Sequence, residues 1–316
     1  MVFILTQLVP GKPELAYLSQ RNLSDKEVVA AFRARWGLDQ PLYIQYFKYM
    51  GNLARGDLGT SFRTNRPVLV DLKQYLPATI ELALVAIIIA TFFGILFGVL
   101  SATWPNSFID HFLRTISVTG VSIPSFWLAL LVLYVFYFHL GWSPGPGRIG
   151  AWSTPADPIT NFYIIDSIIQ KRWDILKESL QHLLWPALVL GAFTMGLITR
   201  TNRSSLLEAM SMDYIRTARA KGLGKLAVVT RHAFGNAFIP VITVIGLGFG
   251  NLLGGAVLVE TIFSWPGIGM YAYRSAVSLD YPAITGVSLL IAVNYVIINL
   301  IIDILYGIID PRIRYQ

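Results

Sequence analysis

The chain has 316 residues, of which 54% are hydrophobic and only 14% charged, and its mean hydropathy is +0.57. A soluble domain carries about a quarter charged residues, so composition places this chain in the membrane class. There is no cysteine, which excludes disulfides, thiolate metal sites and cysteine nucleophiles, and the net charge of +7 among such apolar runs fits an anionic membrane face rather than nucleic acid.

In chain order, residues 2–9 (VFILTQLV) are apolar but too short to cross a bilayer. They read as an interfacial piece, or as the outer end of a span whose start is missing. Residues 1–10 also lack the basic start and small-residue cleavage site of a signal peptide. In the polar segment 11–76, Ser24 and Glu27 form a capping-box pattern before Val28, Phe32 and Trp36, with Gly37 as a stop. Asp39-Gln40-Pro41 opens a second helical pattern, and Gly56 to Gly59 ends it as a turn.

Crossing the hydrocarbon takes roughly 20 mostly apolar residues in a helix. Residues 79–102, 116–140, 183–199, 238–259 and 283–307 meet that test. The connection 141–182 is irregular and rich in Gly and Pro at first, with a helix expected near 164–180. The loop 200–237 carries Arg200, Arg203, Arg216, Arg219, Lys221, Lys225 and Arg231 against only Glu208 and Asp213, so the positive-inside rule puts it in the cytosol together with the tail 308–316. Alternation then puts 11–76 and 141–182 outside.

Catalytic patterns are absent from the sequence. His111, His139, His182 and His232 fall near span ends or in loops without metal-ligand spacing, and there is neither a phosphate-binding GxxxxGK[ST] loop nor a GxSxG elbow. Asn299 and Asp303 share one helix face with Tyr295 and Tyr306, which reads either as a functional stripe or as a hydrogen bond to a neighbouring helix. Gly246, Gly250 and Gly254 form a double GxxxG followed by Gly255, and Gly94 and Gly98 form another. Small residues at this spacing let helices approach closely, within the chain or across a subunit interface.

The loop 200–237 is the strongest signal. Leu206, Leu207, Met210 and Tyr214 keep helical spacing, with Arg203, Arg216 and Arg219 on a polar side and Gly222 and Gly224 as breakers. Such a helix either levers against a cytosolic partner or rests on anionic lipid.

RTARAKG at 216–222 followed by RHAFGNAFIP at 231–240 resembles the coupling-loop signature of ABC importer permeases, in the dipeptide, oligopeptide and nickel branch, and in the first of its two permease subunits. WGLDQPLYIQY at 36–46, GDLGTS at 56–61, SIPSFWLAL at 122–130, ETIFSWPGIG at 260–269, DYP at 280–282 and YGIIDPRIRY at 306–315 match the same family in order and spacing. Lys12 stands where the family has an acidic residue, and Arg216 and Thr217 replace the first two positions of the wider superfamily's loop motif, while Ala218 and Gly222 keep theirs.

The resemblance implies an all-α integral membrane protein with the type I ABC importer transmembrane fold: a six-span plan, core 77–307, the first span truncated. It implies a homologous second permease, two ATP-binding subunits, a periplasmic or lipid-anchored substrate-binding protein and surrounding membrane lipid as partners, in a bacterial or archaeal inner membrane. The chain itself is expected to hold no cofactor and no catalytic site, with ATP and Mg on the partner ATPases. Asp213, Tyr214, Arg216, Thr217, Ala218, Arg219, Ala220, Lys221 and Gly222 are the expected ATPase-coupling residues. Pro124, Asn251 and Asn294 are the candidates for lining the pathway. A carrier or channel working alone is the rival reading.

Overall fold

The computed structural model describes residues 25–36 and 39–309 together with Leu18; the expectations for residues 1–10, for Ser24 and Gly37 and for the tail lie outside them. Two short helices open the described chain, α1 (Lys26–Trp36) and α2 (Leu42–Ala54). Asp25 caps α1, its carboxylate accepting from the backbone N–H of Glu27 at 2.9 Å, so the cap stands one residue beyond the expected serine. Gly56 and Gly59 then turn with φ of 78° and 84°, a region that costs glycine nothing.

The core is built on two long helices, α3 (Val68–Thr103) and α7 (Trp173–Met210). At about 1.5 Å rise per residue each exceeds 50 Å, well beyond the roughly 30 Å of a hydrocarbon core, so both project from the membrane. They pack together along a seam of glycines. A Cβ on Gly94 would meet Ile198 at 2.6 Å, one on Gly98 would meet Asn202 at 2.6 Å, and one on Gly191 would strike the Ala86 carbonyl at 2.8 Å. The Gly94/Gly98 pair is therefore an intrachain contact.

The expected span 116–140 is two helices. α4 (Phe108–Ser122) and α5 (Ser125–Val132), the latter prolonged through Leu133–His139 by wider i→i+5 turns, meet at a bend of 107°. The break is at Ile123, held extended (φ −82°, ψ 125°) because Pro124 disfavours the α region in the residue before it. The expected helix near 164–180 is also divided. α6 (Tyr163–Ile169) stops before Lys171, which has φ 56°, and Trp173 already belongs to α7, which passes through Pro186 without a break.

After α7 the chain turns sharply into α8 (Asp213–Ala220), then climbs through α9 (Lys225–Ala227, continued by Val228–Ala233) into α10 (Phe234–Gly255). Two short helices, α11 (Val257–Ile262) and α12 (Ile268–Val277), lead to the last long one, α13 (Tyr281–Ile309). Among the described residues four helices are long and apolar enough to cross a membrane, and the bent α4–α5 pair makes up to five.

The end of the bundle away from α8 is pinned by buried polar groups. Asp280 accepts from Ser61 Oγ at 2.5 Å and from the Arg63 N–H at 3.1 Å, fastening the segment before α3 to the start of α13. Asp71 on α3 accepts from Thr64 Oγ1 at 2.7 Å and Tyr271 Oη at 3.2 Å. Trp265, 1% exposed, donates its indole N–H to the Ala78 carbonyl at 2.8 Å. These bonds hold the connection 256–280 against the first turns of α3.

Candidate coupling face and translocation wall

α8 is amphipathic over only eight residues. Ile215 and Ala218 are buried in a small apolar cluster with Leu206 and Ala209 of α7, Val228 and Val229 after α9, and Ala102 of α3. Asp213, Tyr214, Arg216, Thr217, Arg219, Ala220 and Lys221 face outward. The helix is thus a rigid handle bolted to three longer helices, with a basic outer surface. Ala218, one of the expected coupling residues, belongs to the bolt and not to the outer surface.

The helix anticipated from Leu206 through Gly222 is interrupted at Ser211 and Met212, where Met212 turns extended (ψ 152°). Ser211 Oγ satisfies the Glu208 carbonyl at 2.7 Å, closing α7. That reversal folds Ile215 back onto Leu206, which a straight continuation could not do. Gly222 follows with φ 76° and open space around it, so its role is conformational. Tyr214 Oη accepts from Asn236 Nδ2 at 2.9 Å, tying α8 to α10 as well. The Asp213–Arg216 pair at 3.2 Å is so exposed that it adds little stability.

Arg203, expected on the polar side of the loop helix, turns the other way. It grips the fully buried Asp110 through both Nε (2.8 Å) and Nη2 (2.7 Å). Asp110 also accepts from Ser101 Oγ and from the Asn106 N–H at 2.9 Å. The α3–α4 corner and the stem of α8 are therefore one braced unit.

Toward the middle of the bundle, Pro124 and Asn251 line one cavity of about 410 Å³ with Ser122, Phe193 and Thr194. Two of the three pathway candidates are so brought together. Asn294 is on α13, outside that lining. The double GxxxG on α10 packs on α13 of the same chain: a Cβ on Gly246 would meet Ile302 at 2.4 Å, while Gly250 and Gly254 have ordinary clearances from Tyr295 (3.5 Å) and Ile291 (3.4 Å). Gly255 closes α10.

Several structural groups carry no chemical motif, although Glu260 opens the family-matching stretch ETIFSWPGIG. Arg148 pairs with Glu81, stacks 3.6 Å from the Tyr163 ring centroid and donates to the Asn161 carbonyl, so it anchors the Gly/Pro-rich connection to α3. Glu260, wholly buried, accepts from Thr79 Oγ1 at 2.7 Å and the Met270 N–H at 2.9 Å. Burial pushes its carboxyl up to about 7 against the pull of these donors. The only sequence hint for Asp110 was its position three residues after Ser107, whose side chain caps α4 by accepting the Asp110 N–H.

A helical bundle with long apolar spans, projecting stems and a short basic handle fastened at one end is the build of a multi-pass membrane protein. The chain belongs to the family described as the binding-protein-dependent transport system inner membrane component, whose model matches residues 94–315. Among curated proteins it is 46% identical, over 99% of this chain and 92% of the relative, to the probable D,D-dipeptide transport system permease protein DdpB of Escherichia coli (strain K12). It is also 46% identical, over 100% of this chain and 94% of the relative, to the dipeptide transport system permease protein DppB of Alkalihalophilus pseudofirmus. The glutathione transport system permease protein GsiC of Salmonella paratyphi A matches at 38% over 100% of this chain and 93% of its own. A solved structure of the MetNI methionine ABC transporter, in inward-facing conformations, shares the fold with a TM-score of 0.50 at 15% identity, covering 74% of this chain and 94% of that one. The chain is thus a permease with the ABC importer transmembrane fold.

Proposed function

We propose that this permease forms one half of the translocation pathway of an ATP-driven importer for di- or oligopeptides. Its partners are a homologous second permease, two ATP-binding subunits that dock on α8, and an extracytoplasmic substrate-binding protein that docks on the opposite end. α8 and the C-terminal tail face the cytosol; segments 11–76 and 141–182 face outward. ATP and Mg are held by the partner ATPases, and this chain supplies no catalytic group.

The observation that carries the reading is α8 itself: a short basic helix whose inner face, Ile215 and Ala218, is packed into the stems of α3, α7 and α10. A push on its outer face is passed to the spans through that packing. The peptide class is supported by the names of the 46% identical relatives. The test is reconstitution in proteoliposomes. Dipeptide uptake is expected only with all partners and ATP present; uptake by this chain alone down an ion gradient would mean a secondary carrier instead.

A further inference from the structure

The exposed side of α4 is divided into two arcs. Placing residues about 100° apart, Phe108, Ile109 and Phe112 fall on one arc and are exposed, Phe108 by 83%. His111, Arg114, Thr115 and Ser122 fall on the neighbouring arc, with Val118 among them, and are exposed too. An apolar arc suits lipid, whereas a polar arc suits water or protein. With the facing side of α7 this arc forms a half-open crevice of about 790 Å³, to which Arg200 and Ser204 contribute. This crevice shares Val121 and Ser122 with the Pro124–Asn251 cavity, so the two adjoin along the α4–α7 groove.

Charge in the crevice is one-sided. Arg203 is neutralised by Asp110, and Arg114 lies 4.0 Å from the same carboxylate and 3.1 Å from His111 Nδ1. Among the described residues Arg200 has no ion-pair partner.

We infer that this groove is the water-filled wall of the pathway on the α8 side, and that Arg200 and Arg114 at its mouth receive the free carboxylate of the departing peptide. This rests on the permease reading above and adds to it the residues and the ligand group. A crevice of this volume accommodates a di- or tripeptide, and a guanidinium with free donors is the side chain that best matches a carboxylate.

The absence of cysteine from the chain makes the test direct. Thr115→Cys and Ser204→Cys are each placed in the assembled transporter and labelled with anionic and cationic methanethiosulfonates, each rate normalised to that of free cysteine. Phe112→Cys serves as the reference for the apolar arc. The anionic reagent is expected to react about tenfold faster at low salt, and R114Q/R200Q to bring that ratio close to one. A dipeptide with a free carboxylate is expected to slow labelling, and its C-terminal amide to leave it unchanged. Labelling as slow as at Phe112→Cys would mean a lipid-filled crevice and overturn the inference, as would a ratio unaffected by loss of the arginines. Either result leaves ATP-dependent uptake by the unaltered complex untouched, and it is on that uptake that the permease reading stands.

Discussion

Arg203 holds Asp110 in a two-pronged grip, 2.8 and 2.7 Å, across 93 residues of sequence. The carboxylate is fully buried and the guanidinium mostly so. Removing Arg203 takes two charge-assisted hydrogen bonds from Asp110, at a cost of about 1.5–3 kcal/mol. R203A is therefore expected to lower the thermal midpoint of the purified complex sharply, and R203K to recover only part of it, since an ammonium cannot form the fork. A double-mutant cycle with D110N checks the coupling; strict additivity would show that the two do not act as a pair.

The glycines predict a graded series. A methyl on Gly196 would sit 2.4 Å from the Ser117 carbonyl oxygen, which belongs to backbone and cannot swing aside, whereas one on Gly250 would sit 3.5 Å from Tyr295. G196A is expected to force α4 away from α7 at a cost of about 1–3 kcal/mol, and G250A to stay within about 0.5 kcal/mol of the parent. Chemical or thermal denaturation in detergent ranks them. Equal effects would contradict the close α4–α7 approach.

On α8 the two faces separate stability from coupling. A218L overfills the cluster with Val228 and Val229 and is expected to destabilise the protein by about 1–3 kcal/mol. R219E and K221E change only exposed charge, so folding is expected to be unaltered while transport-linked ATP hydrolysis in the complex falls. G222A is expected to cost about 1–2 kcal/mol, because φ 76° suits glycine alone without strain. If the charge reversals left ATPase coupling intact, the outer face of α8 would not be the docking surface.

Glu260 gives a pH dependence. Its carboxyl is raised from 4.5 to about 7 by burial, so the folded protein holds the proton more tightly than the unfolded chain does. The linked stabilisation is complete below about 4.5 and is lost as pH rises through about 7. The thermal midpoint of the parent is expected to decline across that window, and E260Q, which cannot ionise, to decline less. Parallel pH profiles for the two proteins would assign the slope to another group.

Much of this architecture was legible in the chain. Apolar length marked the long helices but not the 107° bend within 116–140, the surplus of arginine and lysine drew attention to 200–237, and Ala218 and Gly222 in their frame carried the family resemblance. The candidate site was less legible. Ala218 and Arg219 look equally eligible for a partner until packing turns one inward and the other out. Arg203 reads as a loop cation until Asp110 arrives from another helix. The α10 glycines fit a subunit contact as well as an internal one until Ile302 of α13 is found against Gly246.

The sequence by itself determined that the chain crosses a membrane, where a basic cytosolic loop is to be expected, and which family it belongs to, because hydropathy, charge and motif order are local properties. The tertiary structure alone decided which side of each helix meets protein. Inside a bilayer both the lipid-facing and the protein-facing sides of a span are apolar, so periodicity carries little information about direction. Contacts such as Thr79 to Glu260, 181 residues apart, and Ser61 to Asp280, 219 apart, exist only once every helix has been placed. The same placement turned the loop 200–237 from a run of basic residues into a long stem, an eight-residue handle and a return helix packed as one piece.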